Sequence, residues 1–215
     1  MKSNKRLFIM NDGQLMQLGD ACVSMIDRDA TELSAFGVDA AVRQYIVDKT
    51  QTFKDMTTDE EDAGDVMIKT EAKDKLKEQM KITISSIMVR VRAVFGEKST
   101  VYLRFGTKNM HTMSDERFCR CGKRVVRVAK IYLAELASQG LTIAIINDLE
   151  ALVDQFDQAI DTKEDAIIER GIAAEERVKL ANELYKKISE VYDYGKNYWF
   201  TRSEAKYNDY LIYGK

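Results

Sequence analysis

The chain contains no proline in 215 residues, where the usual ~5% share would give about ten. Proline interrupts helix interiors, so its absence favours long helices joined by short connections. Histidine occurs once, as His111, and cysteine three times. An odd cysteine count does not suggest a disulfide framework. No apolar run approaches the ~18 residues that cross a bilayer. The basic start, Met1 to Arg6, is followed only by Leu7, Phe8, Ile9 and Met10, short of the ~7–15 residues of a signal-peptide core. These absences predict a soluble, cytoplasmic protein without a membrane segment. Neither sign of charge is in excess, since the formal net charge is -2 with 32% charged residues. That excludes a generally basic nucleic-acid binder and an acidic disordered tail, while local patches stay open.

Signatures of chemistry are also missing. The sequence holds no Gly-x-x-x-x-Gly-Lys-Ser/Thr phosphate loop and no Gly-x-Ser-x-Gly elbow. It holds no Glu-x-x-His pair of the di-iron bundle type. His111 precedes Cys119 and Cys121, but one histidine and a Cys-x-Cys do not supply the four paired ligands of a zinc site. These cysteines read as small apolar residues of a helix, and Cys22 as an inert member of an apolar stripe. No metal, no cofactor and no catalytic residue is expected.

What is present is a repeat. Displaced by 103 positions, Thr31-Glu32-Leu33-Ser34-Ala35-Phe36-Gly37 falls on Ala134-Glu135-Leu136-Ala137-Ser138-Gln139-Gly140. Met10, Asp12, Val23 and Phe53 fall on Met113, Asp115, Val126 and Phe156. Tyr102 to Gly106 also matches Tyr210 to Gly214 at a slightly larger displacement. The pattern predicts two tandem units, residues 1–106 and 107–215.

Each unit reads as three helices. Asn11 with Gln14 forms a capping box flanked by Met10 and Leu15, and Ser114 with Met113 and Phe118 occupies the matching place. Apolar residues then recur at threes and fours through Leu15, Leu18, Cys22, Met25 or Ile26, Ala30, Leu33 and Phe36, a single buried helical face. Gly37 and Gly140 end these helices, and Asp39 and Thr142 cap the next ones. Thr58-x-x-Glu61 and Asp161-x-x-Glu164 read as starts of third helices over about 60–95 and 163–194. Val89 to Phe95 alternates like a strand, but its counterpart from Glu183 to Tyr194 has helical spacing, so both read as helix. Residues 106–112 read as the linker. The expected fold is all-α, two antiparallel three-helix units packed as a bundle.

Charge is segregated along the chain. Arg90 to Lys130 carries eleven basic and three acidic residues, and Asp148 to Glu176 ten acidic and two basic. Arg117, Arg120, Arg124 and Arg127, flanked by Lys123 and Lys130, form a stripe along one helix. Three readings stay open: solvated faces that neutralise one another, a basic groove for nucleic acid or an acidic partner, or a contact between copies of the chain. Seven of the ten tyrosines lie between Tyr185 and Tyr213. Tyr198, Trp199, Phe200, Tyr207 and Tyr210 read either as an aromatic interaction surface or as a cap over the bundle end, with Tyr213 beside them.

The duplicated capped helices, together with Thr58-Asp-Glu-Glu-Asp-Ala-Gly-Asp65, Ala134-Glu-Leu-Ala137 and Lys206-Tyr-Asn-Asp-Tyr210, resemble uncharacterised tandemly duplicated helical proteins of Bacteroidetes. That resemblance implies an all-helical duplicated fold and brings no activity or site residues with it. The sequence therefore predicts a non-enzymatic structural or interaction scaffold, with a protein partner or self-association. The alternatives are a nucleic-acid-binding module using the arginine stripe, and an enzyme of unknown type.

Overall fold

The computed structural model describes residues 5–212, which are helical throughout apart from short connections. The α-helices are α1 (Asp12–Arg28), α2 (Ala30–Ser34), α3 (Ala40–Asp55), α4 (Asp59–Phe95) and α5 (Thr100–Phe105). They continue as α6 (Asp115–Ile131), α7 (Leu133–Leu136), α8 (Ile143–Trp199) and α9 (Glu204–Asp209). Among the described residues there is no strand, and Val89–Phe95 forms the last two turns of α4.

Local chemistry explains most helix ends. The Asn11 side chain accepts from the Gln14 amide while Gln14 bonds back to the Asn11 amide, closing a capping box. Asp39 accepts from the amides of Ala41 and Val42. Gly37 and Gly140 adopt left-handed φ values of 78° and 74°, a region that glycine enters without steric cost. Ser114 stands at the N-cap of α6 but makes no side-chain cap bond.

Two helices depart from expectation. The first helical face does not run unbroken to Phe36, because Asp29 leaves helical geometry between α1 and α2. No helix begins at Asp161 either, since that residue lies inside the 57-residue α8. Residues 157–165 contain neither glycine nor proline, and Thr162 turns its hydroxyl onto the Gln158 carbonyl within the helix. The chain does break between α3 and α4, where Met56 is extended and Arg177 donates to the Thr57 carbonyl.

The chain gathers into two compact units, residues 1–59 with 170–215, and residues 60–169. The boundary read between 106 and 107 therefore lies inside the second unit. The reason is where the long helices bury their apolar stripes. In the second unit, Met80, Ile84, Ile87 and Val91 of α4 share a core with Phe118, Val125, Leu149, Val153 and Phe156 of α6 and α8. In the first, Leu184, Ile188 and Val191 of α8 share a core with Leu15, Cys22, Ile46 and Phe53 of α1 and α3.

Glycines permit close helix packing at two places. A side chain at Gly19 of α1 would meet Thr50 of α3, and one at Gly122 of α6 would come to 2.6 Å from Val153 and 2.7 Å from Met80. Gly122→Ala is expected to destabilise the second unit by about 1–3 kcal/mol through overpacking, read as a lowered denaturant midpoint. An unchanged midpoint would mean that the Val153 and Met80 side chains give way freely.

Candidate functional site

Helix α6 divides cleanly into two faces. Phe118, Cys121, Gly122, Val125 and Ala129 are buried, while Arg117, Arg120, Lys123, Arg124, Arg127 and Lys130 are all exposed. This is the 3.6-residue period at work: residues three or four apart share a side of the helix. The start of α6 is pinned to α4 by Asp115, which accepts from Lys73 and Lys77 at 2.5 Å each. Burial raises the Asp115 carboxyl and depresses Lys73, yet their mutual hydrogen bonds prevail, so Asp115 titrates lower and Lys73 higher than usual.

The basic stripe splits by residue type. Lys123 pairs with Asp157 at 2.6 Å and Lys130 with Glu150 at 2.7 Å, so these lysines meet the acidic stretch of α8 as the neutralisation reading required. The arginines do not. Among the described residues Arg117, Arg120 and Arg127 form no ion pair, and Arg124 only donates to the Gly106 carbonyl at 3.5 Å. Arg117, Arg120 and Arg124 line a depression of about 390 Å³ together with Lys108, Gly106, Met113 and Cys121. No carboxylate lines it.

The loop before α6 shapes this depression. Gly106 closes α5 in a left-handed conformation, φ 65°, and any side chain there would collide with the Arg124 guanidinium. Asn109 is also left-handed, φ 60°, and Met110 is buried in the core. The segment read as a polar linker is thus anchored at both ends. Lys108, carried by this loop, is a basic residue that the sequence stripe did not include, because its contribution depends on the loop folding back beside α6.

The cysteines are buried. Burial pushes Cys22 up to about 12, and burial with a hydrogen bond to Asp157 pushes Cys119 up to about 11; burial also raises Cys121. They are thiols rather than thiolates near neutral pH. Among the described residues no group of three His, Cys, Asp or Glu side chains is placed to hold a metal ion. His111 lines a depression of about 220 Å³ that neither cysteine of α6 lines.

The aromatic residues near the C-terminus have unequal fates. Tyr210 is a core residue, 1% exposed, so it cannot belong to an accessible surface. Its ring fills the space above Gly195, where a Cβ would strike it. Its hydroxyl donates to Asp29 at 2.9 Å. Asp29 is fully buried and also accepts from Arg28 and Lys206. Burial works to raise the Asp29 carboxyl, but these three donors hold it down at about 2. Tyr198 and Trp199 are half-buried, Tyr198 against Phe36 and Trp199 under the Lys206 ammonium at 3.9 Å. Phe200 is 69% exposed, with Tyr207 half-buried beside it. Tyr213 lies outside the described residues. Nothing in the spacing of Asp29 marked it as the buried partner of residues some 180 positions away.

Comparison of the chain with protein-family models, with curated proteins and with solved structures returns no match.

Proposed function

We propose that this chain is a non-enzymatic helical interaction scaffold, built by internal duplication, that docks an anionic partner on the exposed face of α6. The observation that carries this reading is the arginine depression. Three guanidiniums and Lys108 converge there without a carboxylate, whereas the neighbouring lysines of the same helix are already paired. Guanidinium presents a rigid fork of donors suited to phosphate and carboxylate. Like charges gathered on one face repel one another, and an anionic ligand relieves that repulsion.

Duplication is supported by recurrence of bounds and burial. A displacement of 103 carries α1 onto α6 end for end, and the starts of α2 and α3 onto those of α7 and α8. It carries Gly19 and its neighbour Thr50 onto Gly122 and Val153. A displacement of 104 carries Lys73, Met80, Ile84, Ile87, Met88 and Val91 onto Arg177, Leu184, Ile188, Val191, Tyr192 and Gly195, all buried. It also carries the capping Ser99 onto the capping Ser203. The repeated element is thus longer than three helices, running from α1 to α5 and again from α6 to α9.

Retention of the intact protein on a heparin column tests the anionic face. Arg117→Glu with Arg120→Glu should elute at clearly lower salt than the wild type with an unchanged melting temperature, because neither side chain holds an ion pair among the described residues. Equal elution of the two proteins would reject the reading.

A further inference from the structure

The arginine depression does not end at α6. A second depression, about 320 Å³, shares Gly106 and Lys108 with it and extends to Tyr102 and Leu103. A third, about 220 Å³, shares Tyr102 and Thr107 with the second and reaches Arg92 and His111. All three lie on the second unit and form one track from Arg120 to Arg92. Its basic groups are Arg117, Arg120, Arg124, Lys108 and Arg92, with His111 at the far end. Glu97 is the one acidic side chain among the residues that line it.

Tyr102 stands at the middle of the track, at the junction of two depressions. Part of its surface is packed against the core of the second unit, so the ring is held in place while the remainder stays accessible. Among the described residues its hydroxyl has no hydrogen-bond partner. A fixed aromatic ring between clusters of cations is the arrangement that single strands use: cations follow the phosphates and the ring stacks a base.

We propose that this track binds single-stranded nucleic acid, with phosphates on Arg117, Arg120, Arg124 and Lys108 and one base stacked on Tyr102. The proposal rests on the reading of the α6 face as an anion-docking surface and names the ligand. A duplex fits less well, because its bases are stacked inside and present no free face to a side chain. An acidic protein fits less well too. Stable protein interfaces centre on packed apolar or aromatic anchors with charge at the rim, and here four of the seven residues that line the arginine depression are charged.

Fluorescence anisotropy with labelled oligouridine and oligothymidine of about 12 nucleotides, within the ~4–16 nucleotide range of single-strand sites, tests the inference on the full-length protein. Four neutralised phosphates predict a loss of affinity of about 50-fold between roughly 50 and 200 mM salt. Binding of either strand supports the proposal. A strand of equal length made of abasic nucleotides should bind about tenfold more weakly, since stacking is lost. Tyr102→Phe should bind as the wild type, and Tyr102→Leu should bind the base-bearing and the abasic strand equally. The abasic comparison uses unaltered protein and therefore stands even if Tyr102→Leu unfolds. If the abasic strand or a duplex of the same length binds as tightly as the oligouridine and oligothymidine, the inference is overturned. Loss of strand binding with heparin retention intact rejects nucleic acid alone, whereas loss of both rejects the anionic face as well.

Discussion

Tyr210→Ala should lower the melting temperature by about 6–20 °C, from about 3–5 kcal/mol for an emptied aromatic site and roughly 2–4 °C per kcal/mol for a chain of this size. The ring is 1% exposed and stacks edge-on against Tyr192 at 5.7 Å. Its loss opens a void over Gly195 and takes a donor from a carboxylate sealed from water. Tyr210→Phe keeps the ring and removes only the bond to Asp29, which should cost about 1.5–3 kcal/mol as a hydrogen bond to a charged group. Truncation after Gly195 removes Lys206 and Asp209 as well, so it should exceed Tyr210→Ala. A truncated chain that melts like the wild type would show that α9 is a recognition element and not part of the core.

The same carboxylate gives the fold a direction of pH dependence. Asp29 is held at about 2 in the folded chain, below the ~3.9 of an unfolded aspartate. A depressed carboxyl stabilises the fold fully above its unfolded value and loses that contribution as pH falls through the folded one. Wild-type stability should therefore drop between about pH 4 and pH 2. Asp29→Asn should be less stable at neutral pH and flatter across that window. A variant with the wild-type slope would remove Asp29 from the account of acid unfolding.

Cutting the chain between the two sequence repeats should not separate them. With a protease site inserted after Lys108 and cleaved, residues 1–108 and 109–215 are expected to migrate together at the mass of the intact protein. Each compact unit takes helices from both pieces. The first needs α8 and α9 from the later half to cover α1 and α3, and the second needs α4 from the earlier half to cover α6 and α8. Separating the pieces would expose two apolar cores at once, so dissociation should coincide with unfolding. Two folded fragments resolved under native conditions would contradict this pairing and restore 1–106 and 107–215 as self-sufficient units.

The helical class was legible without coordinates, and so were its local devices. The Asn11 capping box, the Asp39 cap and the left-handed turns at Gly37 and Gly140 involve groups only a few residues apart, and short-range hydrogen bonding and glycine stereochemistry decide them. The amphipathic division of α6 is equally local, because helical period alone puts Phe118 and Val125 on one side and Arg117 and Arg124 on the other. The aromatic cluster was less legible: spacing placed Tyr210 among surface residues and within the candidate cap alike, and burial decided between them.

Three features belonged to the tertiary structure. A capping pattern alone places a helix start at Asp161, but an Asp-x-x-Glu spacing suits a helix interior as well, and Asp161 lies inside α8. The repeat pattern keeps each long helix with the shorter helices of its own repeat, whereas α4 shares its core with α6 and the late part of α8 shares its core with α1 and α3; the apolar stripes of α4 and α8 match in period and in burial, so either would suit either core. The division of the basic stripe was the third. Whether a surface cation is neutralised depends on what stands within a few ångströms of it, and Asp157 and Glu150 reach Lys123 and Lys130 while, among the described residues, Arg117 and Arg120 form no ion pair. Periodicity determined which side of α6 faces water; only the packing of α8 and the return of the loop bearing Lys108 decided which of its charges were left for a partner.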